Sequence, residues 1–327
     1  MQQLAREVIG GKNISFDEAL KLIKTGDDDT INLLAAAQEI VRHFKGKKVK
    51  LCSIINAKSG RCSENCSFCA QSAHHQTSCQ VYPLMSDKEM LSAAQTAEKQ
   101  MGSTCFSLVT SGKTVHTDQE LITIGRTLAG IAQTTKMNRC VSLGTLSQSQ
   151  IEQLKAAGLT RIHHNLETAE SFFPKMCTTH SYAERVATIK AAKAAGVSVC
   201  SGGIFGLGES LEQRVELALA LRALEVVSVP INILNPVAGT PAGKHHPPIT
   251  PWEVLRLIAT YRFVLPRQDI GVFGGREKAL GTLQPLMFTA GANVTLVGNY
   301  LTTRGQAAEQ DQQMIRDLGL EIDARVH

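Results

Sequence analysis

Residues 48–75 read KVKLCSIINAKSGRCSENCSFCAQSAHH, a strand-like run followed at once by Cys62, Cys66 and Cys69 in a C-x3-C-x2-C array. The run KVKLCSII (48–55) is the first of eight such segments. The others are TCFSLVT (104–110), RCVSLG (139–144), TRIHHNLE (160–167), VSVCSGG (197–203), SVPINIL (228–234), DIGVF (269–273) and NVTLVG (293–298). Helix formers separate them, as in DKEMLSAAQTAEKQ, QSQIEQLKAAG, YAERVATIKAAKAAG and EQRVELALALRAL, often closed by Gly where the left-handed cap requires it. Strand and helix alternating eight times predicts an α/β fold, a parallel (β/α)8 TIM-type barrel rather than an open sheet. Loops that follow strands lie at the C-terminal mouth of such a barrel, and the cysteine array is therefore expected there.

No linker rich in Pro, Gly or Ser divides the 327 residues, so the chain reads as one domain: a helical extension over about 1–47, then a barrel over about 48–320. The most loop-like stretch, NPVAGTPAGKHHPPITP (235–251), follows the sixth strand, and its His245 and His246 read as exposed loop residues. No basic-then-apolar leader opens the sequence and no apolar run is long enough to cross a membrane, which points to a cytoplasmic protein with no membrane partner. Nine cysteines, an odd number, in a reducing compartment speak for metal or catalytic use of some of them rather than a disulfide framework. A net charge of +5 spread through the chain, with one Trp and four Tyr, lacks the basic block with stacking partners that nucleic-acid binding uses.

Several strands place polar residues where a barrel interior usually has branched apolar ones. If Val229, Ile231 and Ile233 meet the helices, Ser228 and Asn232 point inward, and the same parity groups His163, Asn165 and Glu167 against Ile162 and Leu166. Ser198 and Cys200 alternate with Val197 and Val199, Cys105 and Ser107 with Phe106 and Leu108, and Cys140 and Ser142 with Val141 and Leu143. An unpaired buried polar group costs on the order of 1–3 kcal/mol, so this many inward polar and sulfur atoms imply a polar ligand.

Three closely spaced cysteines fit two kinds of metal site. A structural zinc needs a fourth ligand; no second C-x2-C pair supplies one, although His74 or His75 could. An iron–sulfur cube held by three cysteines leaves one iron open. Cys79 and Cys177 lack strand context and read as incidental.

The array, with Phe68 just before the last cysteine, resembles the signature of the radical S-adenosylmethionine superfamily. That resemblance implies a [4Fe-4S] cluster on Cys62, Cys66 and Cys69 whose open iron chelates S-adenosyl-L-methionine. The blocks GRCSENCSFCAQS, SLGTLSQSQ, HHNLETAESFF, TTHSYAER, VCSGGIFGLGES, SVPINILNPVAGTP, GGRE and FTAGANVTLVGNYLTT resemble, in order, those of the biotin synthase family, over residues from about 12 to about 320. The implied reaction is sulfur insertion into dethiobiotin by a 5'-deoxyadenosyl radical and an auxiliary iron–sulfur cluster, with an electron donor such as flavodoxin or ferredoxin and a homodimeric enzyme. The resemblance also implies that Phe68, Asn165, Glu167, Arg185, Ile204 and Glu209 contact the cofactor, with Gly202 and Gly206 completing the G-x-I-x-G-x-x-E pattern, and that Asn165, Asn232, Thr302 and Thr303 bind the substrate. Glu167 stands where the family has Asp. Two alternatives remain: a radical enzyme acting on another small molecule, and a metal-stabilised binding protein without turnover.

One departure from the family concerns the auxiliary [2Fe-2S] cluster, held there by three cysteines and an arginine. Cys140 and Cys200 match two of the cysteines, but Ser107 takes the place of the remaining one and Gly271 that of the arginine. Cys52 and Cys105 are extra inward thiols. Together with Cys140 and Cys200 they suggest an all-cysteine auxiliary cluster, of a four-iron type.

Overall fold

The computed structural model describes residues 1–115, 117–243 and 248–324; His245 and His246 lie outside them. Three helices, α1 (Gln2–Ile9), α2 (Phe16–Ile23) and α3 (Asp27–Lys45), precede the first strand. The strands are β1 (Lys48–Lys58), β2 (Cys105–Thr110), β3 (Asn138–Ser142), β4 (Arg161–His163), β5 (Ser198–Cys200), β6 (Gly203–Phe205), β7 (Ser228–Ile233), β8 (Asp269–Val272), β9 (Val294–Leu296) and β10 (Glu321–Ile322). All pairings are parallel, and β1 pairs with both β2 and β9, which closes the ring. The fifth strand is interrupted: β5 and β6 are its two halves, both laid against β7, and the ring thus has eight members. Short β10 pairs with the first residues of β1, an element the sequence pattern does not announce.

Between the strands run α4 (Asp87–Met101), α5 (Asp118–Thr134), α6 (Gln148–Ala156), α7 (Phe173–Met176), α8 (Tyr182–Ala194), α9 (Leu211–Ala223) and α10 (Pro251–Val264). Six helices begin with a reciprocal capping box, Ser15/Glu18, Ser86/Glu89, Ser147/Gln150, Ser181/Glu184, Ser210/Gln213 and Thr250/Glu253. A cap contributes about 1 kcal/mol, so local chemistry favours these starting residues over their neighbours. Helix α10, buried along almost its whole length, packs against α2 and α3, which joins the N-terminal helices to the barrel wall. Among the described residues no helix is long and apolar enough to cross a membrane.

The base of the barrel is locked by charge. Asp269, at the start of β8, takes Lys45 at 2.9 Å and Lys50 at 2.8 Å. Fully buried Arg262 donates to Gly291 O (2.9 Å), Gln268 O (2.8 Å) and Asn293 Oδ1 (2.9 Å), tying the entry turns of β8 and β9 together. The break between β5 and β6 depends on close backbone approach, since a Cβ on Gly202 would lie 2.0 Å from Pro230 O. Gly202→Ala is accordingly expected to lower the urea midpoint with an unchanged m-value, at a cost of about 1–3 kcal/mol.

Candidate active site at the barrel mouth

The register sets the inner ring of side chains. Cys52 lies beside Cys105, Ser107 beside Cys140, Cys140 beside Arg161, His163 beside Cys200, and Cys200 beside Ser228. Higher on the wall, Ile204 lies beside Asn232. These residues line one cavity of about 340 Å³, together with Phe68, Asn165, Glu167, Thr302 and Thr303. The inward parity read from the sequence therefore holds for Cys105, Ser107, Cys140, Ser142, His163, Cys200, Ser228 and Asn232. Ser198 keeps the parity of Cys200 and sits opposite Arg161, but outside the cavity lining, and its hydroxyl donates to Thr160 O at 2.8 Å.

Burial pushes the Cys200 thiol up to about 11. A proton shared with Cys140, and another with Cys52, draws Cys105 down and pushes those two neighbours up. Burial holds His163 down to about 4, so its ring is neutral. Arg161, the residue two before His163 on the same face, is drawn into this thiol group. Burial alone would lower its pKa, but Cys105, Cys200, Cys140 and Cys52 raise it on balance. Its Nε and Ser107 Oγ are buried without a hydrogen-bond partner among the described residues. Orphaned polar atoms of this kind, facing a cavity ringed by four thiols, fit an iron–sulfur group there. A Cβ on Gly271 would meet Phe273 Cε1 at 2.6 Å and Val294 O at 3.0 Å, so a larger side chain there requires the Phe273 ring to move.

Above this floor, two asparagines are fixed by the main chain. Asn165 Oδ1 accepts from Gly202 N (3.0 Å) and its Nδ2 donates to Glu167 Oε2 (3.3 Å). Asn232 Oδ1 accepts from Gly274 N (3.0 Å) and its Nδ2 donates to Gly203 O (3.2 Å). Each amide keeps a free N–H and a free lone pair, enough to bind a ring that carries both donors and an acceptor. Glu167 has φ 69°, a rare left-handed conformation for a non-glycine residue. It turns the chain out of β4 and presents the carboxylate, whose pKa burial raises and Arg185, 3.6 Å away, opposes.

The cysteine loop closes on itself through Cys62 N to Gln71 O (3.0 Å) and Ala73 N to Cys62 O (2.8 Å), and docks on the α7 end through Ser67 N to Met176 O (2.9 Å). His74 and His75 have their Nε2 atoms on Ser63 O (2.9 Å) and Cys66 O (3.0 Å). Among the described residues, the group of metal-ligating atoms lying within 4.8 Å of one another is Cys66, Cys177 and His180, not the cysteine trio. A tetrahedral zinc places its sulfurs about 3.8 Å apart, so the more widely spread trio suits a polynuclear cluster.

Cys177 is a correction, because it is not incidental: its Sγ lies 3.7 Å from that of Cys66. The Cys66 hydrogen bond draws the Cys177 thiol down to about 3, with help from His180 against the burial that opposes it. Arg185 Nε donates to His180 Nε2 (3.0 Å), which leaves the Nδ1 proton for Glu64 Oε2 at 2.5 Å. This group is thus a hydrogen-bonded network beneath the cysteine loop, and Arg185 also reaches Asn165 O at 2.8 Å. Counting back two residues along the fourth strand would have found Arg161. Nothing in the sequence places Glu64, Cys177 and His180 together.

Glu209 does not line the cavity. Its carboxylate accepts from Gly206 N (2.9 Å), Leu207 N (2.7 Å) and Arg214 Nε (2.8 Å), and it supports the Ile204 segment from behind. Thr302 and Thr303 sit on a loop held by Asn56 Nδ2 to Leu301 O (3.1 Å), Tyr300 N to Thr303 O (3.0 Å) and Tyr300 OH to Glu277 Oε1 (2.8 Å).

Comparison with known proteins agrees with this architecture. Residues 57–221 match the radical SAM superfamily, and residues 230–321 match the biotin and thiamin synthesis associated domain. A solved methylornithine synthase superposes with TM-score 0.86 at 18% identity, covering 98% of this chain and 97% of that one. The FeFe-hydrogenase maturase of Carboxydothermus hydrogenoformans gives 0.80 at 17% identity, over 97% of this chain and 78% of that one. At such identities the likeness is one of fold. Barrel and cysteine loop together define a radical SAM enzyme. Biotin synthase of Geotalea uraniireducens is 51% identical over 98% of this chain and 97% of its own length, and that of Heliobacterium modesticaldum is 47% identical over 99% of each. The chain belongs to the biotin synthase family.

The Glu209–Arg214 pair is almost fully buried, with side chains 2% and 8% exposed. Glu209→Ala removes the close partner of Arg214, leaving it Glu253 at 3.8 Å, and frees two loop amides. It is expected to cost about 3 kcal/mol in chemical denaturation, with faster hydrogen exchange at Gly206 and Leu207.

Proposed function

We propose that this chain converts dethiobiotin to biotin, and that the cavity holds substrate between the open corner of the cysteine loop and a sulfur-bearing floor. When bound, a [4Fe-4S] cluster with S-adenosyl-L-methionine supplies a 5'-deoxyadenosyl radical, and an auxiliary iron–sulfur cluster supplies the sulfur atom. The protein's own part is binding, orientation and exclusion of water. Cys62, Cys66 and Cys69 provide three thiolates on a loop stiffened by its own main-chain hydrogen bonds. Phe68 and Ile204 offer apolar surface at the cavity wall, and Glu167 and Arg185 offer a carboxylate and a guanidinium for the polar ends of the nucleoside and the amino acid.

Asn165 and Asn232, each with one donor and one acceptor position free, suit a cyclic urea, and Thr302 and Thr303 suit the substrate carboxylate at the far end. Cys52, Cys105, Cys140 and Cys200 hold the auxiliary cluster, of a four-iron type, in place of the ligand set that Ser107 and Gly271 no longer provide. The observation that carries this reading is the convergence of four inward thiols and two pre-aligned asparagines on one cavity. The same reading takes the chain to be a single barrel unit, cytoplasmic and homodimeric, reduced by a flavodoxin- or ferredoxin-class donor.

Two measurements test it. Anaerobic incubation with dethiobiotin, S-adenosyl-L-methionine and a reductant is expected to yield biotin and 5'-deoxyadenosine; the nucleoside without biotin would mean another substrate. Iron and sulfide analysis of the Cys62→Ala, Cys66→Ala, Cys69→Ala triple variant is expected to show about half the wild-type iron, whereas Cys177→Ala keeps the full amount. Complete loss of iron from the triple variant would remove the second cluster from the scheme.

A further inference from the structure

The floor of the cavity carries a guanidinium set among thiols rather than carboxylates. Arg161 opens β4 between Cys140 of β3 and Ser198 of β5, and it lines the cavity with Cys52, Cys105, Cys140 and Cys200. No carboxylate pairs with it among the described residues, and its Nε has no acceptor. Glu167, on the same cavity wall, is engaged by Asn165 at 3.3 Å and Arg185 at 3.6 Å.

Other buried arginines of the chain are treated differently. Arg214 faces Glu209 at 2.8 Å, Arg276 faces Asp311 at 2.9 Å, and Arg262 is ringed by main-chain carbonyls and Asn293. An enclosed guanidinium is costly unless it is paired and hydrogen-bonded. Arg161 therefore has the features of a residue whose partner is a bound anionic group. The thiols around it limit what that group can be, since sulfur ligands select thiophilic metals and iron–sulfur clusters.

We propose that Arg161 is a positioning residue for the auxiliary cluster: its guanidinium donates hydrogen bonds to the cluster's sulfur atoms and offsets the negative charge brought by four cysteine thiolates. This rests on the auxiliary-cluster reading above. The planar fork of N–H donors stays protonated throughout the accessible pH range, so the charge is permanent and directed. A fixed positive charge in contact with a cluster favours the added electron, and hydrogen bonds to cluster sulfurs act in the same direction. Lysine would retain the charge without the fork; glutamine would retain a donor without the charge.

The Cys62→Ala, Cys66→Ala, Cys69→Ala background isolates the second cluster for measurement. Arg161→Lys and Arg161→Gln in that background, reconstituted anaerobically with iron and sulfide, are compared by iron content, circular dichroism and a mediator-poised redox titration read by electron paramagnetic resonance. Arg161→Gln is expected to make the cluster at least tenfold harder to reduce, a fall of about 59 mV for a one-electron couple, with Arg161→Lys intermediate. Loss of iron from Arg161→Gln alone, with iron retained by Arg161→Lys, supports the same role. An unchanged potential in Arg161→Gln overturns it, as does loss of iron from both variants with the fold intact. A background that binds no iron removes the auxiliary cluster and this role together, whereas a loaded background with a flat potential removes only the role of Arg161.

Discussion

A closed ring of parallel strands turns every second side chain inward, and in this chain one level of that ring is filled with sulfur and polar atoms instead of branched hydrocarbon. The rest of the structure follows from that constraint. Thiols and amides leave space where a packed barrel would have Val and Leu, and that space is the cavity. Its apolar counterpart is the outer strand face, where Val141, Ile162, Val199, Val229 and Ile231 are fully buried against the helices. Hydrophobic burial on the outside of the ring stabilises a fold whose inside is given over to ligands.

Such an interior has to be rigid from both ends. Below, Asp269 between Lys45 and Lys50, and Arg262 with its carbonyl partners, fix the starts of the strands. Above, three arrangements fix the loops: Glu209 with Arg214, Arg276 with Asp311, and the Arg185, His180 and Glu64 chain under the cysteine array. These are buried or half-buried charges, and they are expensive to desolvate. Each is paired within 3.0 Å, while Arg214 Nη1, Arg276 Nε and Asp311 Oδ2 stay without a hydrogen bond among the described residues, so these groups specify one arrangement of loops at some cost in stability. The strained Glu167 belongs to the same economy, since a left-handed residue survives only where its surroundings over-determine it.

Much of this was legible along the chain. Alternation with period two announced which residues face inward on β2, β3, β4 and β7, because side-chain direction in a strand is fixed by position alone. The capping boxes announced where helices begin, because a Ser or Thr hydroxyl and a Glu or Gln three residues later satisfy each other locally. The C-x3-C-x2-C spacing announced a three-thiolate loop, since it lies within eight residues. The interruption between β5 and β6 was not legible, nor was the level at which Ser198 sits on the inward face. Whether a hydroxyl reaches a cavity or a neighbouring carbonyl depends on its height in the barrel, which parity does not encode.

The sequence by itself thus determined the strand and helix order, the inward faces and the cysteine loop, all consequences of contacts within a few residues. Only the tertiary structure decided that Cys177 lies against Cys66, that Glu64 and His180 meet beneath the loop, that Glu209 turns its carboxylate to the main chain, and that Arg161 stands unpaired among four thiols. Glu64 and Cys66 are separated by more than a hundred residues from His180 and Cys177, and closure of the barrel brings them together. Local patterning fixes direction along each strand; ring closure fixes which directions meet.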